Sequence, residues 1–162
     1  MKIFVSSTYV DLIEYRKAVE RAINQLQEQH VMMEYFGSRP QEPKTAALAE
    51  VQQCDLFVGV YAHRYGTVPD GETKSVTELE FELAQKLSKP IFAYRVGEDQ
   101  PWLTRMIERG EGEKKLAEFL KHVDKLLRSE FTTPDDLRAR VAADLGRWLK
   151  DNRTTAAAGC FQ

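Results

Sequence analysis

The sequence predicts a single α/β domain built on a doubly wound, mostly parallel five-stranded sheet with strand order 2-1-3-4-5. Three observations carry that expectation. Short apolar runs alternate with helical periods along the chain, the pattern of strands joined by crossover helices. The stretch DLFVGVY, residues 55–61, is nearly all apolar, as a central parallel strand covered on both faces must be. The chain has 162 residues, 43% of them hydrophobic and 30% charged, enough to bury one sizeable core.

KIFVS, residues 2–6, reads as the first buried strand. From Tyr9 the period becomes helical, with Leu12, Tyr15, Val19, Ala22, Ile23 and Leu26 on one side. Thr8 and Asp11 stand where a capping box would, and this helix is expected to end near His30. VMMEYF, residues 31–36, reads as a second strand. GSRPQEPK, residues 37–44, reads as a loop, since two prolines and a glycine interrupt it. A short helix through Ala47, Leu48 and Val51 leads into the central strand. Residues 62–74, with two glycines and a proline, form a long loop between a core strand and a helix, where function often resides.

The next helix starts near Val76 and stops before KPIFAYRV, residues 89–96, a fourth strand. Leu116, Phe119, Leu120, Val123 and Leu127 mark an amphipathic helix whose charged start, residues 111–115, is solvated. SEFTT, residues 129–133, reads as a short edge strand. Thr133, Pro134, Asp135 and Asp136 start a last helix with the stripe Leu137, Val141, Leu145, Trp148 and Leu149. Residues 153–162 show no period and read as a tail or linker, so the domain is expected to span 1–152. Phe4, Val5, Leu56, Val58, Ile91 and Ala93 are predicted to be buried.

Composition narrows the function. A net charge of −2 offers no basic field for nucleic acid or acidic lipid. The opening apolar run is too short for a signal peptide, and no stretch approaches a membrane span of ~20 apolar residues. Two cysteines fit a reduced, cytoplasmic chain. His30, His63 and His122 lack ligand spacing, so no metal site is expected. No phosphate-binding or dinucleotide-binding glycine motif occurs, which leaves no cofactor expected.

The stretch KSVTELEFELAQKLSKP, residues 74–90, places glutamates at 78, 80 and 82. Ser75 and Glu78 form a capping box, which sets the helix start. Advancing ~100° per residue puts Val76, Leu79, Leu83 and Leu87 on one side, with Ala84 at its edge. Glu78 and Glu82 then point to solvent, and Glu80 falls within the apolar stripe. A carboxylate there needs a partner or a cleft. The partner reading offers Arg64 or Lys74. The cleft reading makes Glu80 the candidate functional acid, since order 2-1-3-4-5 puts a crevice at the carboxyl ends of strands 1 and 3. Those ends carry Ser6, Ser7 and Thr8 on one side and Tyr61, His63, Arg64 and Tyr65 on the other. The first three could hold a phosphate or ribose, or Thr8 could simply cap its helix. Arg64 could bind a phosphate and Tyr61 or Tyr65 stack on a base, or the aromatics could pack on the neighbouring helix.

FVSSTYVDLIEYR, MEYF, CDLFVGVYAHRYG and SVTELEFELAQKLSKPIFAY together resemble the domain-of-unknown-function 4062 family. The resemblance covers residues 2–96 strongly and FTTPDDLRARVAADL more loosely. It implies a TIR-like or flavodoxin-like fold standing beside other domains of a longer polypeptide, often a signalling NTPase. That family is similar to Toll/interleukin-1 receptor domains, some of which cleave NAD, and to nucleoside 2-deoxyribosyltransferases, whose nucleophilic glutamate lies in a Glu-x-Gly-x-Ala pattern. The corresponding stretch here is Glu80-Phe81-Glu82-Leu83-Ala84, with Glu82 in place of the glycine. The resemblance thus points to Glu80 as catalytic, and to NAD or a related nucleotide as ligand. The alternative it implies is a non-catalytic signalling or defence module that works by self-association.

Overall fold

A computed structural model describes residues 1–32 and 43–158. The elements run β1 (Lys2–Ser7), α1 (Ile13–Gln25), β2 (Gln29–Met32), α2 (Pro43–Gln53), β3 (Leu56–Tyr61), α3 (Val76–Lys86), β4 (Ile91–Val96), a single 3-10 turn (Thr104–Met106), α4 (Glu111–Asp124), β5 (Leu127–Phe131) and α5 (Pro134–Ala158). All four strand pairings are parallel, in the order β2-β1-β3-β4-β5. The predicted sheet and its order are the observed ones. The second strand starts two residues earlier than expected, and the rest of the expected segment, with most of loop 37–44, lies outside the described residues.

The period-2 alternation of each strand sorts its side chains between two cores. Ile3 and Val5 of β1, Leu56, Val58 and Val60 of β3, and Phe92, Tyr94 and Val96 of β4 meet α1 and α5 on one face. Phe4, Phe57, Tyr61 and Ala93 meet the other face, with Phe81 and Ala84 of α3 and Phe119 and Val123 of α4. Every residue of β3 is buried, as its composition requires at the middle of the sheet. Five of the six predicted core residues are buried, and Ile91 is only half-buried at the start of β4.

Several expectations are corrected. Helix α1 begins at Ile13, not near Tyr9, because Thr8 and Asp11 make no box: the Thr8 hydroxyl donates to the Asp11 carboxylate at 2.6 Å instead of accepting from an amide. It ends at Gln25, since Gln27 adopts φ 59° and turns the chain into β2, which contains His30. The buried residues of α3 are Thr77, Glu78, Glu80, Phe81 and Ala84, while Leu79 and Leu83 are half-buried and Leu87 is exposed. The edge strand β5 begins two residues before the expected SEFTT. Helix α5 runs on to Ala158 through the expected tail, and Arg153 reaches Glu28 at 2.8 Å. No described helix is long and apolar enough to cross a membrane.

Candidate functional site

Where β1 ends, its alternation sends Ser6 and Ser7 to opposite faces. Ser6 turns toward α3, where its hydroxyl donates to Glu80 Oε2 at 2.6 Å. Ser7 turns toward α1, where Arg16 Nη1 donates to its hydroxyl at 2.7 Å. Glu80 reaches this point because its helix starts one turn earlier, at Ser75. The Ser75 hydroxyl accepts from the Glu78 amide at 3.2 Å, which is the predicted cap. The other half of the box is replaced. The Tyr65 hydroxyl donates to the Glu78 carboxylate and accepts from the Ser75 amide at 3.2 Å. Glu78 is therefore buried against Tyr65 and not solvated, contrary to the helical wheel, whereas Glu82 stays half in solvent beside Lys74. The tyrosine hydroxyl that displaces Glu78 from its reciprocal bond comes from a loop whose course no local pattern shows.

Glu80 is 5% exposed. Burial lifts its pKa from the ordinary 4.5 to about 7, against the opposing pull of the Ser6 hydroxyl and the Arg16 cation. Neither Arg64 nor Lys74, the partners considered from sequence, is the one found. Arg16, itself buried, is the cation that acts on Glu80; its guanidinium lies 5.5 Å from the Tyr9 ring centre. Sequence reasoning passed over Arg16, although its position four residues past Leu12 puts it on the inner side of α1.

Tyr61 joins Glu80 through the sheet register. Ser6 pairs with Gly59, and the Tyr61 ring folds back over Gly59 on the same face. A Cβ at Gly59 would lie 2.6 Å from two ring carbons, so only glycine leaves room. The Tyr61 hydroxyl is buried, with no hydrogen-bond partner among the described residues. Burial raises its pKa well above the ordinary tyrosine value, and the Glu80 charge raises it further. The ring packs edge-on against Phe81 and Phe119. Tyr65 is 3% exposed, and burial with its bond to Glu78 pushes its pKa up to about 12. Both tyrosines thus show the packing that the sequence left open, and neither ring offers a face to solvent in this conformation. Arg64 is half-buried and acts electrostatically on Asp11 with His63, while Thr8 is held by Asp11. Gly66, at φ 93°, lets this loop approach both Thr8 and Thr77, within 3.3 Å of where its Cβ would be.

The structure brings Ser6, Glu80, Tyr61 and Arg16 together at the ends of β1 and β3, with Ser7, Thr8 and Arg64 alongside. Two surface grooves lie elsewhere, between α3 and α4. One of about 170 Å³ is lined by Phe81, Gln85, Phe119 and His122, and one of about 350 Å³ by Tyr65, Lys74, Lys114 and Glu118. Glu78 borders both and Glu80 neither. Among the described residues no group of three or more acidic, histidine or cysteine side chains could hold a metal ion.

The fold is similar to that of a diflavin flavoprotein from Nostoc sp., at 12% identity and TM-score 0.52, covering 96% of each chain. It is also similar to a flavodoxin-like domain from Synechococcus sp., at 12% identity and TM-score 0.50, covering 93% of this chain and 98% of that one. A 2-desoxiribosyltransferase from Leishmania mexicana matches over 69% of this chain and 75% of its own, at 12% identity and TM-score 0.45. No curated protein is significantly similar in sequence. The model of the family described as Domain of unknown function (DUF4062) matches residues 2–146, and the chain belongs to that family.

Proposed function

We propose that the Glu80 centre cleaves the N-glycosidic bond of NAD or a related nucleotide. The observation that carries this reading is a buried carboxyl with a pKa of about 7 at the point of the sheet where open α/β folds bind ligands. As the base leaves with the bonding electrons, positive charge builds on the ribosyl carbon. An ionised Glu80 stabilises or attacks that carbon, and water then supplies the hydroxyl that replaces the base. Ser6 orients the carboxylate, and Arg16 favours its ionised form. On this reading Ser7, Thr8 and Arg64 are the groups that would hold ribose and phosphate oxygens. Glu80→Gln is expected to keep the fold and abolish release of base from NAD by clustered protein, because a neutral amide cannot match the developing charge. Glu82→Gln is expected to leave release nearly unchanged. Release surviving in Glu80→Gln, or lost in Glu82→Gln alone, overturns the assignment.

A second reading is a non-catalytic module that assembles with itself or with other domains of a longer polypeptide. It is favoured by the covered position of Glu80 and by Tyr9, Val10 and Ile13, which are exposed together just after β1. On that reading Glu80→Gln alters stability alone, and Val10→Asp lowers the assembled fraction in sedimentation.

A further inference from the structure

Within the group around Glu80, the Tyr61 hydroxyl is left without a hydrogen-bond partner among the described residues, on a side chain that is 4% exposed. A buried hydroxyl in that state costs free energy and calls for a reason. Its position is fixed from two sides. The ring packs edge-on against Phe81 at 6.2 Å and Phe119 at 5.2 Å between centres. The hydroxyl itself, with the ring carbons behind it, takes the space that a Gly59 Cβ would fill. Gly59 is the register partner of Ser6 across β1 and β3. Register partners face the same side of a parallel sheet, about 4.8 Å apart. The Tyr61 oxygen therefore stands beside the Ser6 side chain, whose Oγ lies 2.6 Å from Glu80 Oε2. Both members of that pair act on the phenol. After burial, the Glu80 charge raises the Tyr61 pKa and the Ser6 hydroxyl lowers it.

The count of donors and acceptors closes on the same arrangement. A serine hydroxyl has one proton and two lone pairs. Ser6 gives its proton to Glu80 and keeps the capacity to accept. The Tyr61 proton is the donor without an acceptor. Turning the phenol O–H toward Ser6 Oγ uses both, and leaves the ring in its packing.

We propose that Tyr61 is a positioning residue for Glu80: its O–H donates to Ser6 Oγ, the Ser6 O–H donates to the carboxylate, and the two hydroxyls in series hold the ionised acid in place. This rests on the reading of Glu80 as the N-glycoside-cleaving acid. Hydrogen bonds in series polarise one another, so the phenol strengthens the bond that Ser6 makes to the charged form. The charged groups around α3 are otherwise assigned. Arg16 of α1 acts on Glu80 directly, Glu78 is bound by Tyr65, and α2 turns Lys44 to Glu72 and Glu50 to Lys2.

The test reads the Glu80 carboxyl itself. Its carbon resonance, in chain carrying isotope-labelled glutamate, is assigned by its loss in Glu80→Gln. Its titration is then followed across neutral pH in the unsubstituted chain, Tyr61→Phe, Ser6→Ala and the double variant. Tyr61→Phe deletes the hydroxyl and keeps the ring, and is expected to raise the Glu80 midpoint by about half a pH unit to one unit. In the Ser6→Ala background the same substitution should move the midpoint far less, because the phenol acts through Ser6. A ring that merely fills space gives no shift in either background. An unmoved or lowered midpoint in Tyr61→Phe, or an equal shift with and without Ser6, overturns the proposal. If Tyr61→Phe does not fold, the Tyr61 Cζ resonance decides. It should move as Glu80 ionises, and far less in Ser6→Ala, and a flat or unaltered response overturns the proposal. Release of base from NAD by the same proteins separates this role from the activity. A midpoint shift with no release by the unsubstituted chain removes the reaction and keeps the hold on Glu80. Release whose pH profile stays unmoved in Tyr61→Phe keeps the reaction and removes the positioning residue.

Discussion

At neutral pH the Glu80 carboxyl is divided between its protonation states, since its pKa is about 7 in the fold and about 4.5 when exposed. The folded chain holds that proton more tightly, so between those values it binds more protons than the unfolded chain. Stability from this group therefore falls as pH rises from about 4.5 to 7 and levels off above, by about 3 kcal/mol at most. Glu80→Gln removes the dependence. Urea titrations should show the variant gaining on the unsubstituted chain as pH rises from 4.5 to 8, and a constant difference would contradict the burial of an ionisable group there. A second residue-scale outcome concerns Gly59. Glycine is needed because the Tyr61 ring occupies the space of a Cβ. Gly59→Ala should cost about 1–3 kcal/mol through overpacking and push the ring off the Ser6–Glu80 pair. The loss is measured by urea denaturation, and Tyr61→Ala in the same background should restore tolerance of the alanine.

Helix α3 is set by Ser75, and two hydroxyls make three hydrogen bonds at its first turn. The Ser75 hydroxyl caps the Glu78 amide, and the Tyr65 hydroxyl bridges the Ser75 amide and the Glu78 carboxylate. Ser75→Ala should cost about 0.5–2 kcal/mol, the usual loss of a cap. Tyr65→Phe should cost more than an exposed hydroxyl deletion would, because it strands a buried carboxylate. Denaturation of both variants and of the double variant measures whether the two hydroxyls act as one unit. The end of α5 is the weaker element. Its Arg153–Glu28 pair leaves the arginine side chain 73% exposed, and such pairs contribute about 0–1 kcal/mol. Deleting residues after Asn152 should lower the melting temperature by no more than a few degrees. A larger fall would show that the last turns of α5 dock more firmly than this one pair.

Across the whole molecule the sheet centre is the most protected part. β3 is flanked by β1 and β4, and all six of its residues are buried. Its amides should exchange with solvent most slowly, close to the rate of global unfolding, with those of edge strands β2 and β5 faster. Native-state hydrogen exchange checks the ranking, and fast exchange within Leu56–Tyr61 would contradict the central placement. The strap of residues 97–110 should exchange early, having a single short turn of regular structure.

The architecture was legible because its signals are local and repeated. Runs such as LFVGVY and the caps at Ser75 and Thr133 announce strands and helix starts without reference to anything distant, and strand–helix alternation then leaves few topologies. The ends of α1 and α5 were not legible. Gln27 takes a left-handed turn with no glycine to mark it, and the last turns of α5 continue where no apolar stripe demands a helix. The inward placement of Glu80 followed from counting turns after a cap, but the same count put Glu78 in solvent. Only tertiary structure supplied the Tyr65 hydroxyl that draws Glu78 inside, the Arg16 cation near Glu80, and the Tyr61 ring over Gly59. Each depends on which residues the sheet register and the loops bring together from far apart in the chain, and periodicity measures only the direction a side chain leaves its own element. Sequence by itself determined the layers and the acid that breaks the apolar stripe, and the packed fold decided which groups surround that acid.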